Sequence, residues 1–108
     1  MKLKRDPFRK IRTGRKTIEL RLYDEKRQRV KVGDRIEFTD LQDPTQKLMT
    51  EVLALHRFDS FAELFRALPC DRMGFERGEI PDPEVMEAYY SPEEQGLYGV
   101  VGIEIRLL

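Results

Sequence analysis

The stretch Gly14-Arg15-Lys16-Thr17-Ile18-Glu19-Leu20-Arg21 gathers groups able to hold a polar ligand. A guanidinium presents a planar fork of donors that matches a phosphate or a base edge. An ammonium adds a compact positive charge, and a carboxylate can accept from a base amino group. Residues 17–23 alternate with period two, as a half-buried strand does. That places Ile18, Leu20 and Leu22 toward the core and puts Thr17, Glu19, Arg21 and Tyr23 on the other face. Lys16 falls on the apolar parity and joins Glu19 and Arg21 only if regular strand geometry begins after it. The candidate ligand-binding set is therefore Gly14, Arg15, Lys16, Thr17, Glu19, Arg21 and Tyr23. Were the protein an enzyme, Lys16 and Glu19 would be its catalytic pair. The plainer alternative is a solvated strand face whose charges pair across strands.

Other chemistry-bearing residues offer less. His56 shares parity with Val52, Ala54 and Phe58, which points to a satisfied, partly buried strand histidine. Cys70 follows Pro69 with no histidine near it in sequence and reads as an inert thiol. Lys26-Arg27-Gln28-Arg29-Val30-Lys31 is a basic run that adjoins the motif strand and could extend a phosphate-tracking surface. Tyr89, Tyr90 and Tyr98 are core candidates, any of which could stack on a base if it rims a cleft. There is no calcium-loop spacing, glycine-rich phosphate loop or dinucleotide fingerprint. With 1 Cys and 1 His, no metal site and no cofactor are expected.

Several elements must position the motif. A short strand at Lys2–Lys4 precedes Asp6-Pro7, a helix start with an acidic cap and proline at the first helical position. Phe8 and Ile11 supply that helix's apolar face, and Gly14 its stop. After the motif strand, a charged connector leads through Val32-Gly33-Asp34 into a strand with Ile36 and Phe38 inward. Asp43-Pro44 marks a turn. Residues 48–58 form a long strand with apolar residues on both parities, a sign of bending or two-sided burial. Ser60 to Glu63 fits a capping box before a helix that ends at Pro69, and residues 70–81 look irregular. Asp82-Pro83 and Ser91-Pro92 each open a short helix. Val101, Ile103, Ile105 and Leu107 alternate as a closing strand. The expected fold class is α+β, a small β-barrel or strongly curled mixed sheet with short flanking helices, in one domain spanning 1–108.

Composition narrows the function classes. The chain has 108 residues, 20 basic and 20 acidic, with 40% hydrophobic residues. That hydrophobic content argues against wholesale disorder. No apolar run is long enough to span a membrane, and the start carries no signal-peptide pattern, so a cytoplasmic location without a membrane partner is expected. The neutral total hides an asymmetry. Residues 1–57 carry 16 Lys and Arg against 9 Asp and Glu, while residues 58–108 carry 4 against 11. The basic half suggests an anionic partner such as nucleic acid, unless the two halves neutralise each other on folding.

The motif also resembles the GxKxxExR signature of the ASCH domain, a PUA-like β-barrel family, at Gly14, Lys16, Glu19 and Arg21. The preceding helix, the Val32-Gly33-Asp34 turn and the ending Tyr98-Gly99-Val100-Val101-Gly102-Ile103 extend the likeness over nearly the whole chain. The resemblance implies binding of RNA, or of a nucleoside or nucleotide ligand, in a charged cleft built around Lys16, Glu19 and Arg21. One similar branch hydrolyses N(4)-acetylcytidine with a lysine, a threonine and a glutamate. Its lysine corresponds to Lys16, but the position of its threonine nucleophile holds Glu19 here. A hydrolase of a modified nucleoside amide, or a ribonuclease, is the alternative function, and a protein-interaction module a third.

Overall fold

Alternating apolar residues organise five strands in the computed structural model, which describes residues 1–108. They are β1 (Lys2–Leu3), β2 (Ile18–Leu22), β3 (Arg35–Asp40), β4 (Lys47–Phe58) and β5 (Val100–Leu107). All five join one sheet in the order β1-β3-β4-β5-β2. β1 runs parallel to β3, and every other neighbouring pair is antiparallel. The sheet is mixed and curls into a half-barrel. Its two edge strands are brought close enough for the Arg21 guanidinium on β2 to donate to the Lys2 carbonyl on β1 at 3.1 Å. In β4 the register with β5 shifts between Val52 and Ala54, the bend that its mixed parity anticipates.

Three short helices flank the sheet: α1 (Arg5–Arg12), α2 (Phe61–Ala67) and α3 (Pro92–Tyr98). The local signals account for most of their ends. Ser60 Oγ accepts from the Glu63 amide at 3.2 Å, and the Glu63 carboxylate accepts from the Asp59 amide. Ser91 and Glu94 exchange a full capping box at the start of α3. Helix α1 departs from expectation, because it begins at Arg5 after an extended Lys4 and has no side-chain cap. Asp6 instead pairs with Lys10 one turn on, at 3.1 Å. Residues 70–81, expected to be irregular, open with a 3-10 turn at Cys70–Met73. The Asp82-Pro83 signal starts a 3-10 segment, Pro83–Ala88, rather than an α-helix.

The apolar residues divide into two cores on opposite faces of the sheet. The inner one, within the curl, includes Phe8 and Ile11 of α1, Ile36 and Phe38 of β3, and Val101, Ile103 and Ile105 of β5. The outer one packs Phe61 and Leu64 of α2 with Ile18, Met73, Met86 and Val100. β5 is buried on both sides, and Gly102 lies where a Cβ would come within 2.9 Å of Leu68. At Gly99, φ is +72° and a Cβ would stand 3.0 Å from the Phe58 carbonyl oxygen, so the turn from α3 into β5 requires glycine.

This arrangement corrects the sidedness expected for the motif strand. Glu19 lies opposite Ile103 and Arg21 opposite Val101 on β5, and both partners belong to the inner core. Ile18 and Leu20 face the outer core. The charged face of β2 is thus the inner face of the curl, at its open edge. Period-two alternation separates two faces but cannot say which is covered when both are.

Candidate functional site

The path of the chain after α1 decides where Lys16 points. Gly14 takes the left-handed conformation that turns the chain out of the helix, with φ +80°. The Lys16 amide then donates to the Lys10 carbonyl at 3.0 Å, and the Thr17 amide to the Arg72 carbonyl at 2.8 Å. Regular strand geometry starts only at Ile18. Lys16 is therefore released from strand parity, and its ammonium meets Glu19 Oε1 at 2.8 Å.

Glu19 is the hub of the site. Its Oε1 also accepts from the Leu20 amide at 3.1 Å, and its Oε2 accepts from Arg21 Nε and Nη2 at 3.1 and 3.0 Å. The residue is only 2% exposed and Lys16 only 8%. Burial pushes the Glu19 carboxyl upward, but the Lys16 ammonium and the Arg21 guanidinium outweigh it and hold the group below the usual carboxylate range. A carboxylate with every strong acceptor direction engaged is a clamp on two cations. It keeps Lys16 and Arg21 in fixed positions while leaving donors on both free: Glu19 is the one partner of the Lys16 ammonium, and Arg21 Nη1 has none.

These groups form the floor of a cleft of about 670 Å³. One wall comes from β1 and α1 and carries Lys2, Lys4, Asp6, Pro7 and Lys10. The other comes from residues 73–90 and carries Met73, Phe75, Glu76, Glu79, Val85, Met86, Tyr89 and Tyr90. Two contacts join the walls. The Lys10 ammonium donates to the Gly74 carbonyl at 2.7 Å, and the Lys4 ammonium lies 5.2 Å from the centre of the Tyr89 ring. The wall from the second half of the chain contributes no Lys or Arg. Such a half-apolar concavity with a few converging charged groups is the usual form of a small-ligand site.

Of the candidate residues, Lys16, Glu19 and Arg21 converge in this cleft, and Gly14, Arg15, Thr17 and Tyr23 do not line it. Arg15 is exposed and pairs with Glu76 at 3.4 Å. Thr17 Oγ1 accepts from Arg72 Nε at 2.8 Å, outside the cleft. Tyr23 packs against the inner core beneath the Arg57 guanidinium, 4.2 Å from its ring centre. The basic run at 26–31 does not line the cleft either; its Arg27 pairs with Asp24 at 3.1 Å. His56 is satisfied on its strand, with Nε2 3.1 Å from Glu104 Oε2. The hydrogen bond from His56 and the donor from Arg72 outweigh partial burial and hold the Glu104 carboxyl low. Burial, with a smaller push from Asp71, raises the Cys70 thiol, as suits an inert cysteine. Lys2, Lys4 and Lys10 also line the cleft, and nothing in their spacing distinguishes them from other surface lysines.

Comparison with known proteins agrees with the family resemblance. The ASCH domain family model matches residues 1–108, the whole chain, and the protein belongs to that family. At the family level its members are RNA-binding or hydrolase-like. The fold is similar to a crystal structure of a hypothetical protein, PH0355, with 29% identity, a TM-score of 0.77 and complete coverage of both chains. It is also similar to the solution structure of protein PF0455 from Pyrococcus furiosus, with 29% identity, a TM-score of 0.72, and coverage of 100% of this chain and 98% of that one. No curated protein matches the sequence. No helix is long and apolar enough to cross a membrane.

Proposed function

We propose that the cleft binds a nucleotide unit, either within single-stranded RNA or as a nucleotide-derived small ligand. The observation that carries this reading is the Glu19 clamp. It presents Lys16 and Arg21, each with free donors, at the base of a cleft whose opposite wall is aromatic and apolar. Fixed donors of this kind suit a phosphate or a base carbonyl, and an apolar wall suits a base or ribose face. Binding is favoured over amide hydrolysis because the cleft lining has no serine, threonine or cysteine to serve as nucleophile. The Thr17 hydroxyl is engaged by Arg72, and the Glu19 oxygens are engaged by Lys16, Arg21 and Leu20. A fluorescence titration with short single-stranded RNA at rising salt tests the proposal, with mononucleotides run alongside. Affinity should fall with salt and fall further in Lys16→Ala and Arg21→Ala; no binding of either ligand at low salt would sink it. N(4)-acetylcytidine incubated with the protein should be recovered intact.

A further inference from the structure

Tyr89 stands out among the aromatic residues because nothing in either core explains it. The residue is 59% exposed, although it lines the cleft. The residues beside it are firmly anchored. Met86 is buried in the outer core, and Tyr90 stacks on Phe61 with ring centres 6.1 Å apart and planes 17° from parallel. The Tyr89 and Tyr90 amides both donate to the Met86 carbonyl, at 3.0 and 2.9 Å. A flat ring is thus held at the mouth of the cleft on scaffolded backbone, and its visible partner is the Lys4 ammonium from the opposite wall.

We infer that Tyr89 is the stacking platform for one nucleobase, and that Lys4 marks where the adjoining phosphate sits. The inference rests on the nucleotide-binding reading of the cleft and assigns the two ends of the ligand within it. The direction follows from charge. Glu76 and Glu79 lie on the Tyr89 side and would repel a phosphate, whereas the other side has Lys2, Lys4 and Lys10 against one carboxylate, Asp6, which Lys10 pairs. A cation over an exposed ring is held weakly, and a base offers the ring a larger, dehydrated contact. When the base slides onto the ring, the Lys4 ammonium moves off its face by rotation of a flexible side chain and reaches the phosphate. Stacking of this kind tolerates any base, because every base has a π-face, so the platform confers affinity for a nucleobase without choosing among them. Ile80 and Leu97 are still more exposed, at 92% and 74%, but offer no planar face.

The test compares the unmodified protein with Tyr89→Ala, Tyr89→Phe and Lys4→Ala. The probes are a labelled single-stranded RNA pentamer, the same oligonucleotide without bases, AMP and UMP. Tyr89→Ala should weaken the pentamer roughly ten-fold with an unchanged salt slope, and Tyr89→Phe should stay within about two-fold. Lys4→Ala should lower the salt slope for the pentamer. The baseless strand should bind the unmodified protein and Tyr89→Ala equally, and more weakly than the pentamer binds the unmodified protein. If AMP and UMP show the same Tyr89 dependence, the platform serves free nucleotides; if only the pentamer does, it serves RNA. A pentamer that binds Tyr89→Ala as tightly as the unmodified protein would remove the platform and leave the cleft reading standing. Failure of every probe to bind the unmodified protein would remove both. The contrast between intact and baseless strands needs no substitution, so it remains decisive should a variant misfold.

Discussion

The two walls of the cleft come from opposite ends of the charge distribution. The wall built from β1 and α1 is rich in lysine and short of apolar rings, while the residues of 73–90 that line the cleft include Phe75, Tyr89 and Tyr90 with Glu76 and Glu79, and none of them is basic. Ion pairs do not merge them into a uniformly neutral surface. Most pairs, such as Arg5 with Asp40, Lys16 with Glu19 and Arg72 with Glu104, lie within one half of the sequence. Arg15 with Glu76, Arg106 with Glu51 and His56 with Glu104 reach across, and of these only the first touches the cleft, at Glu76. A net charge of zero therefore describes the sum and not the site. On the proposed reading the two walls have different tasks: one attracts and positions an anion, and the other offers a dehydrated face.

The most severe way to break this contrast is to remove the floor that both walls share. Glu19→Ala strands Lys16 as a buried cation and leaves Arg21 with only the Lys2 carbonyl, and should cost about 3–5 kcal/mol in a urea unfolding experiment. A loss under about 1 kcal/mol would show that the clamp is not structural. Next in size is Gly99→Ala, which should cost roughly 1–3 kcal/mol through its positive φ and the approach to Phe58, without touching either wall. Loss of stability with intact pentamer affinity per folded molecule is the expected pattern; selective loss of affinity would show that the turn into β5 shapes the cleft.

The acid limb of the stability curve sharpens the account of the floor. Glu19, Asp40 and Glu104 all have carboxyls held low in the folded protein. Burial works against this at Asp40, and the Gln42 amide and Arg5 overcome it. Between the folded and unfolded values the unfolded chain binds more protons, so stability is fully present above the unfolded values and is lost as pH falls through the folded ones. Urea midpoints between pH 7 and pH 2 should fall on acidification, and Glu19→Gln should flatten part of that fall. An unchanged slope in the variant would mean that Glu19 titrates alike in both states. The smallest effect separates the walls themselves. Lys2→Ala should reduce the salt slope of pentamer binding by about 0.7 if it meets one phosphate, while Glu79→Gln should leave the slope unreduced. Equal slopes in the two variants would erase the distinction between the walls.

Much of the frame is legible in the residues. The alternation in β3 and β5, the shift in β4, the caps at Ser60 and Ser91 and the shared face of Glu19 and Arg21 all follow from local pattern, whereas Lys16 joins them only because the strand begins after it, at Ile18. The sidedness of β2 does not, because Ile18 and Leu20 satisfy an outer core under α2 while Glu19 and Arg21 look into the curl. Thr17 and Tyr23 share the motif's period but not its site: one is held by Arg72 and the other by the inner core. Lys4 with Tyr89, and Lys10 with Gly74, meet across more than half the chain, which no short-range spacing can announce.

Most of the elements, the family signature and the separation of a basic half from an acidic one can be read along the chain. These depend on residue types, on their periodicity and on short-range capping and turn chemistry. Only the tertiary structure decided that the edge strands β1 and β2 come together and that Glu19 is saturated by two cations. It alone set the acidic, aromatic segment opposite the lysines. Burial and long-range pairing arise from how sheet faces are covered, and a one-dimensional pattern of polar and apolar residues carries no record of which element covers which face.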